Sequence, residues 1–159
     1  VNCYYNIVCD KQGKPTGEVK EKGAWVRETK LGKGFDKPVI QKALYEYFVN
    51  DIPVENTIKH HDDIYDFCMS QKVGKQFKVE YKDKPTQRIN RYYITTSKEG
   101  GSLMKVKENG QKVSLAAGQN IMLFNDYVDA DDYQIDYQYY IRTAKEVIDF
   151  VEHEQLALF

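Results

Sequence analysis

The chain holds 159 residues, 42% of them hydrophobic and 30% charged, with 13 Tyr, 7 Phe and 1 Trp and a formal net charge of −1. Those aromatics provide far more buriable surface than a disordered composition contains, and a chain this long removes roughly 70% of its unfolded surface from water on folding. No apolar run approaches the roughly 18 residues of a membrane span, and nothing near Val1 has the basic, apolar and small-residue order of a secretory signal. A cytoplasmic protein without membrane contact is expected.

The opening Cys3 to Cys9 run, rich in Tyr, Ile and Val, and a second β-rich run from Val19 to Arg27 flank the turn-forming Asp10-Lys11-Gln12-Gly13-Lys14, which predicts a hairpin. A Gly/Lys-rich link, Lys30 to Gly34, follows. Asp36 is then the expected N-cap of a helix over 37–50, with Pro38 in its first turn and Val39, Ile40, Ala43, Leu44, Tyr47 and Phe48 at helical spacing. Asn50-Asp51-Ile52-Pro53 ends it, Val54 to Lys59 predicts a short second helix, and Asp62 or Asp63 can cap a third carrying Ile64, Phe67 and Cys68.

From 75 to 124, β-rich runs at 75–82, 89–96, 102–107 and 120–124 alternate with the turn signals Asp83-Lys84-Pro85, Glu99-Gly100-Gly101 and Asn109-Gly110. The alternation predicts a small antiparallel sheet. An acidic connector, Asp126 to Asp136, leads to a last helix over 136–152 marked by Tyr137, Tyr140, Ile141, Ala144, Val147, Ile148 and Val151. The expected fold class is α+β: helices packed on a small antiparallel sheet, with a C-terminal helix and a flexible tail.

Charge is unevenly placed. Residues 1–124 hold 21 Lys and Arg against 15 Asp and Glu, a formal +6, whereas residues 125–159 hold 2 against 9, a formal −7. A basic body suits a protein that tracks a phosphate backbone, since each neutralised phosphate releases counterions. Cys3, Cys9 and Cys68 form no Cys-x-x-Cys pair, and Cys3 and Cys9, six apart, are expected as small buried thiols in a reducing cytoplasm.

The motifs of nucleotide-binding loops, serine hydrolases and zinc proteases are absent from the sequence. His60-His61-Asp62-Asp63 is the one dense group of metal-ligand types, but neighbours on a helix diverge by about 100° each, so a polar turn is expected there. The acidic run lacks the glycine bend of a calcium loop and is expected to be a solvated connector whose charge favours the N-terminus of the last helix. No catalytic residue and no resident metal or cofactor is expected in this chain.

The chain ends Gln155-Leu156-Ala157-Leu158-Phe159, after the polar spacer Glu152-His153-Glu154. This ending resembles the Gln-Leu-x-Leu-Phe peptide by which bacterial and phage DNA polymerases and repair proteins bind the sliding clamp. The resemblance makes Leu158 and Phe159 anchors in an apolar groove, Leu156 a supporting contact and Gln155 the polar residue that sets register. A short tail suits that task because it reaches a preformed groove without reorganising a folded body.

The body is similar to the end of a phage-type family B DNA polymerase. The stretch Asn2 to Asp10 with Gly13 and Lys22-Gly23-Ala24-Trp25-Val26-Arg27 resembles the segment where that family's chain leaves the palm. Ala43 to Ile58, Asn90-Arg91-Tyr92-Tyr93-Ile94-Thr95 with Gly101-Ser102-Leu103, and Leu123-Phe124-Asn125 before Tyr133 to Ile141 resemble its thumb. On that resemblance 1–36 is a palm-to-thumb hairpin and link, 37–74 the thumb helices, 75–124 the sheet, 125–154 the connector and C-terminal helix, and 155–159 the clamp peptide. The family's Asp-Thr-Asp and Ser-Leu-Tyr-Pro motifs and its exonuclease motifs do not occur here. The chain is therefore expected to be inactive alone, with Mg2+ bound in the palm of the parent polymerase, and a first residue of Val rather than Met agrees with a piece of a longer chain.

The implied partners are primer-template DNA, the sliding clamp and the rest of the polymerase chain. Lys20, Lys22, Arg27, Lys30 and Lys33 on the hairpin and link, and Arg88, Arg91 and Lys98 near the Tyr92-Tyr93 strand, are the expected phosphate contacts. Tyr92 and Tyr93 alternate across a strand, so at most one of them is expected to reach DNA. The alternative is a non-enzymatic accessory module that reaches the clamp through the same tail and binds nucleic acid with its sheet.

Overall fold

The computed structural model describes residues 4–12, 14–22, 37–124, 134–153 and 157–158. They form an α+β structure that divides into two compact units, one of Val1–Asp66 with Tyr137–Phe159 and one of Phe67–Asp136. Among the described residues no helix is long and apolar enough to cross a membrane.

The first unit opens with an antiparallel hairpin of β1 (Tyr4–Cys9) and β2 (Pro15–Lys22), in the register Tyr4↔Lys22 to Ile7↔Val19 with a shift before Cys9↔Pro15. Asp10 makes the turn. Its Oδ1 accepts from the backbone N–H groups of Gln12 and Lys14, both at 2.9 Å, the local bonding that suits Asp to tight turns. The second strand therefore begins at Pro15, earlier than its β-rich run at Val19, and residues 23–27 of that run lie outside the described residues.

Helix α1 (Pro38–Asn50) starts on Pro, whose missing N–H costs nothing in a first turn. Its N-cap is Lys37 rather than the expected Asp36, and no side chain caps it. Asp51 ends the helix in the left-handed region at φ 55°, and the N–H groups of Asp51 and Ile52 both donate to the Glu46 carbonyl. Pro53 then admits α2 (Val54–His60). The longest helix, α3 (Tyr137–His153), buries Tyr140, Ile141, Ala144, Val147, Ile148 and Val151 on one stripe and packs against both α1 and α2.

Val39, Ile40, Ala43 and Leu44 of α1 and Val54 and Ile58 of α2 complete this core, each large aliphatic contributing about 1.5–3 kcal/mol by burial. Two polar contacts tie α3 to its neighbours at the surface: Tyr47 Oη donates to Glu152 at 2.8 Å, and Lys145 pairs with Glu55 at 3.1 Å. The expected third helix is only a 3-10 turn, Ile64–Phe67, started by Asp63 Oδ1 accepting from the Tyr65 N–H at 3.0 Å. Four residues before a strand leave no room for α-helical bonds to propagate.

The second unit contains two antiparallel sheets where one was expected. In the first, β3 (Met69–Lys72), β6 (Ile89–Ile94) and β9 (Ile121–Leu123) run in the order β3-β6-β9. The other comprises β4 (Lys78–Tyr81), β5 (Lys84–Thr86), β7 (Leu103–Val106) and β8 (Lys112–Ser114), ordered β5-β4-β7-β8. Tyr92, Ile94, Ile121 and Leu123 of the three-stranded sheet are buried, as are Val79, Tyr81 and Leu103 of the four-stranded one.

Gly100 and Gly101 hold the two sheets together. Gly101 and Ile121 exchange backbone bonds at 3.0 and 2.9 Å, and the Ile121 carbonyl also accepts the buried Tyr81 hydroxyl at 2.9 Å. Asn120 Nδ2 donates to the carbonyls of Thr95 and Ser97 at 3.1 and 2.9 Å. A Cβ at Gly100 would lie 2.7 Å from Thr95 Cγ2, and one at Gly101 would lie 2.6 Å from Lys82 Cγ, so neither position has space for a side chain.

Candidate nucleic-acid interface

The basic charge is concentrated in the stretch that forms the two antiparallel sheets. Residues 67–124 carry eleven Lys and Arg against four Asp and Glu, a formal +7, whereas 37–66 and 137–153 together carry five against nine. The basic excess thus lies in the strand-bearing stretch 67–124; residues 125–136, with five Asp and no Lys or Arg, bring the second unit as a whole to a formal +2.

Of the expected contacts, Arg88, Arg91 and Lys98 lie in that unit. Arg91 is in β6, directly opposite Ser70 of β3, and is partly buried. Arg88 precedes the strand, exposed, with its carbonyl accepting the Val73 N–H at 2.9 Å. Lys98 is exposed in the loop beyond the other end of β6; Arg88 and Arg91, three positions apart along an extended segment, fall on opposite faces of it. Lys20 and Lys22 are in β2, opposite Asn6 and Tyr4. Arg27, Lys30 and Lys33 lie outside the described residues, as do Gln155, Leu156 and Phe159. Leu158 belongs to β10 (Ala157–Leu158), a two-residue strand parallel to β1 in the register Tyr4↔Ala157 and Tyr5↔Leu158.

Register also reveals basic positions that the sequence did not single out. Lys72 stands directly opposite Ile89, and Lys78 and Lys112 flank Val106 in one cross-strand row. Several of the unit's cations serve the fold itself. Lys112 Nζ pairs with Glu80 at 2.7 Å, and that carboxylate holds the ammonium above its usual pKa. Lys82 Nζ donates to the Glu99 carbonyl at 2.7 Å, and Lys105 Nζ sits 4.5 Å from the centre of the Phe77 ring. Among the described residues no carboxylate pairs with Lys72, Lys75, Lys78, Lys84, Arg88 or Lys98. These six have charge available to an external anion.

Tyr92 and Tyr93 do alternate across β6, but both are buried, with 4% and 0% of their surface exposed, so neither reaches a ligand. Other side chains with chemical potential are committed locally. His60 Nδ1 donates to the Asn56 carbonyl at 2.8 Å, and His61 Nε2 bonds Asp66 Oδ2 at 2.7 Å, so the two rings serve separate partners. No group of three metal-ligand side chains occurs among the described residues. A shallow groove along α3, lined by Gln138, Ile141, Arg142, Lys145, Glu146 and Asp149, mixes both signs of charge on one helix face and brings no reactive groups together.

Comparison with family models, curated proteins and solved structures finds no match to the chain.

Proposed function

We propose that this chain is the C-terminal thumb part of a family B DNA polymerase, holding primer-template duplex through its phosphates and tethered to the sliding clamp by residues 155–159. The reading is carried by one observation, the terminal Gln155-Leu156-Ala157-Leu158-Phe159, which resembles a clamp-binding peptide at all its defining positions. The +7 of residues 67–124 supports the second half, because a surface of that sign attracts a phosphate backbone without reading bases. Nucleotide transfer belongs to the palm of the parent enzyme, where two carboxylate-held Mg2+ ions would act. The setting is the cytoplasm.

Tethering raises the effective concentration of the primer end to something on the order of millimolar, so processivity needs no tighter grip on DNA. The pairing of Ala157 and Leu158 with β1 is compatible with that role, since a two-residue edge strand opens locally at small cost. Fluorescence polarisation with a labelled sliding clamp tests the reading. The intact chain should bind, deletion of 155–159 should abolish binding, and undiminished binding by the deleted chain would refute the clamp assignment. Duplex binding should weaken steeply with salt; a flat response would exclude phosphate tracking.

A further inference from the structure

Two residues of the clamp-like ending already have a partner in the fold. Ala157 and Leu158 form β10, which pairs in parallel with β1 in the register Tyr4↔Ala157 and Tyr5↔Leu158, so the order in this sheet is β10-β1-β2. Helix α3 is anchored through buried Val147 and Val151 and ends at His153, so only the segment beyond His153 has to move for β10 to leave. We propose that β1 is an autoinhibitory dock for the tail: residues 155–159 are withheld from the sliding clamp while β10 is paired and become available when it is released. The inference rests on the clamp-binding reading and adds to it a competition within the chain.

Backbone geometry sets the two states against each other. A neighbouring strand lies about 4.8 Å away in the hydrogen-bonding direction, so β1 occupies one flank of the backbone at Ala157 and Leu158. A groove that closes around a short extended peptide, taking up the side chains on both its faces, needs that same flank. Leu158, one of the two expected anchors, is inside the ladder. Docking has a benefit of its own, because without β10 the edge of β1 would present unpaired N–H and C=O groups, a template for another chain. Two register pairs are nonetheless few, and a ladder this short opens locally at small cost. A clamp that binds only the released tail therefore shifts the balance, and its apparent affinity is the intrinsic one reduced by the released fraction.

The test locks the tail at a position the peptide leaves open. Ala157 is the variable residue of the Gln-Leu-x-Leu-Phe pattern and its register partner is Tyr4, so Tyr4→Cys with Ala157→Cys can join opposed positions without altering Gln155, Leu156, Leu158 or Phe159. In the full chain Cys3, Cys9 and Cys68 are replaced by Ala so that no other thiol competes, with thermal melts as the check on folding. By fluorescence polarisation with a labelled sliding clamp, the oxidised chain should bind roughly a hundredfold more weakly or not at all, and dithiothreitol should restore the affinity of the parent chain. In the wild-type chain, hydrogen exchange should quicken at those amides of residues 4–6 that face β10, both on deletion of 155–159 and on addition of clamp. Failure of the disulfide to form under mild oxidation would overturn the docked register. Equal affinities of the oxidised and reduced chains, or β1 amides that stay protected in the clamp complex, would overturn the exclusion. A disulfide that forms and a deletion that deprotects β1, with no form of the chain binding clamp, would instead refute the clamp reading and the autoinhibition with it; the two failures are distinguishable because the cross-link and the deletion are read without clamp.

Discussion

Two glycine substitutions with the same nominal steric conflict should have opposite outcomes, and the difference measures how rigid the junction between the sheets is. A Cβ at Gly100 would meet Thr95 Cγ2 at 2.7 Å and the Asn120 side-chain amide at 2.8 and 2.9 Å. Thr95 is buried, and Asn120 is held by the bonds its Nδ2 donates to the carbonyls of Thr95 and Ser97. To admit the methyl group, Asn120 must release one or both bonds, at about 1 kcal/mol each, and the junction must absorb overpacking of about 1–3 kcal/mol. Gly100→Ala should therefore cost about 2–4 kcal/mol. A Cβ at Gly74 would come even closer to a neighbour, 2.6 Å from Gln76 Oε1, but that atom ends an exposed, flexible side chain that can swing into solvent. Gly74→Ala should lie within about 0.5 kcal/mol of wild type. Urea denaturation followed by far-UV circular dichroism measures both. Equal effects of the two substitutions, or a cost below about 1 kcal/mol for Gly100→Ala, would refute the claim that the Gly100–Asn120 contact is rigid.

Further outcomes follow from the same contacts. Tyr81→Phe removes one of two donors to the Ile121 carbonyl, leaving the Gly101 N–H in place, so it should cost about 1 kcal/mol in the same denaturation assay rather than the larger penalty of an orphaned buried acceptor. Tyr47 donates to the Glu152 carboxylate, which raises its pKa above the ordinary value of 10.0 by favouring the protonated phenol. That contribution to stability is complete below pH 10.0 and is lost as pH rises through the raised value, so Tyr47→Phe should reduce the steepness of the alkaline limb of a stability–pH curve measured by urea titration. Lys112→Met should remove the pair with Glu80 at an exposed edge strand and shift stability by about 0–1 kcal/mol, with a smaller effect at high salt.

The helices were legible because their signals are local. The apolar stripe from Val39 to Phe48, Pro38 and the Asn50–Pro53 break set the bounds of α1 to within a residue, and the stripe from Tyr137 to Val151 did the same for α3. The sheets were harder to read, for a physical reason. Met69–Lys72, Lys84–Thr86 and Lys112–Ser114 have only three or four residues each, carry few β-branched side chains and owe their strand conformation to the neighbour they pair with. Asp83-Lys84-Pro85 resembles a turn, yet the turn is Lys82-Asp83, both at positive φ, and Pro85 sits in β5, an edge strand where its missing N–H breaks no ladder.

The candidate interface shows the same division between local and paired information. Arg88 and Arg91 were visible beside an aromatic strand, but Lys72 gains its place only through a register that sets it opposite Ile89, seventeen positions along the chain. The charge count was also diluted in sequence. The +6 of residues 1–124 averages a nearly neutral stretch before Phe67 with a strongly basic one from Phe67 to Phe124, and the start of the second unit marks the change. The basic stretch 67–124 and the exposed Ile89 belong to short, cross-bonded strands. Those strands are fixed by backbone ladders and by the Gly101–Ile121 junction, so the backbone positions that carry these side chains keep their spacing.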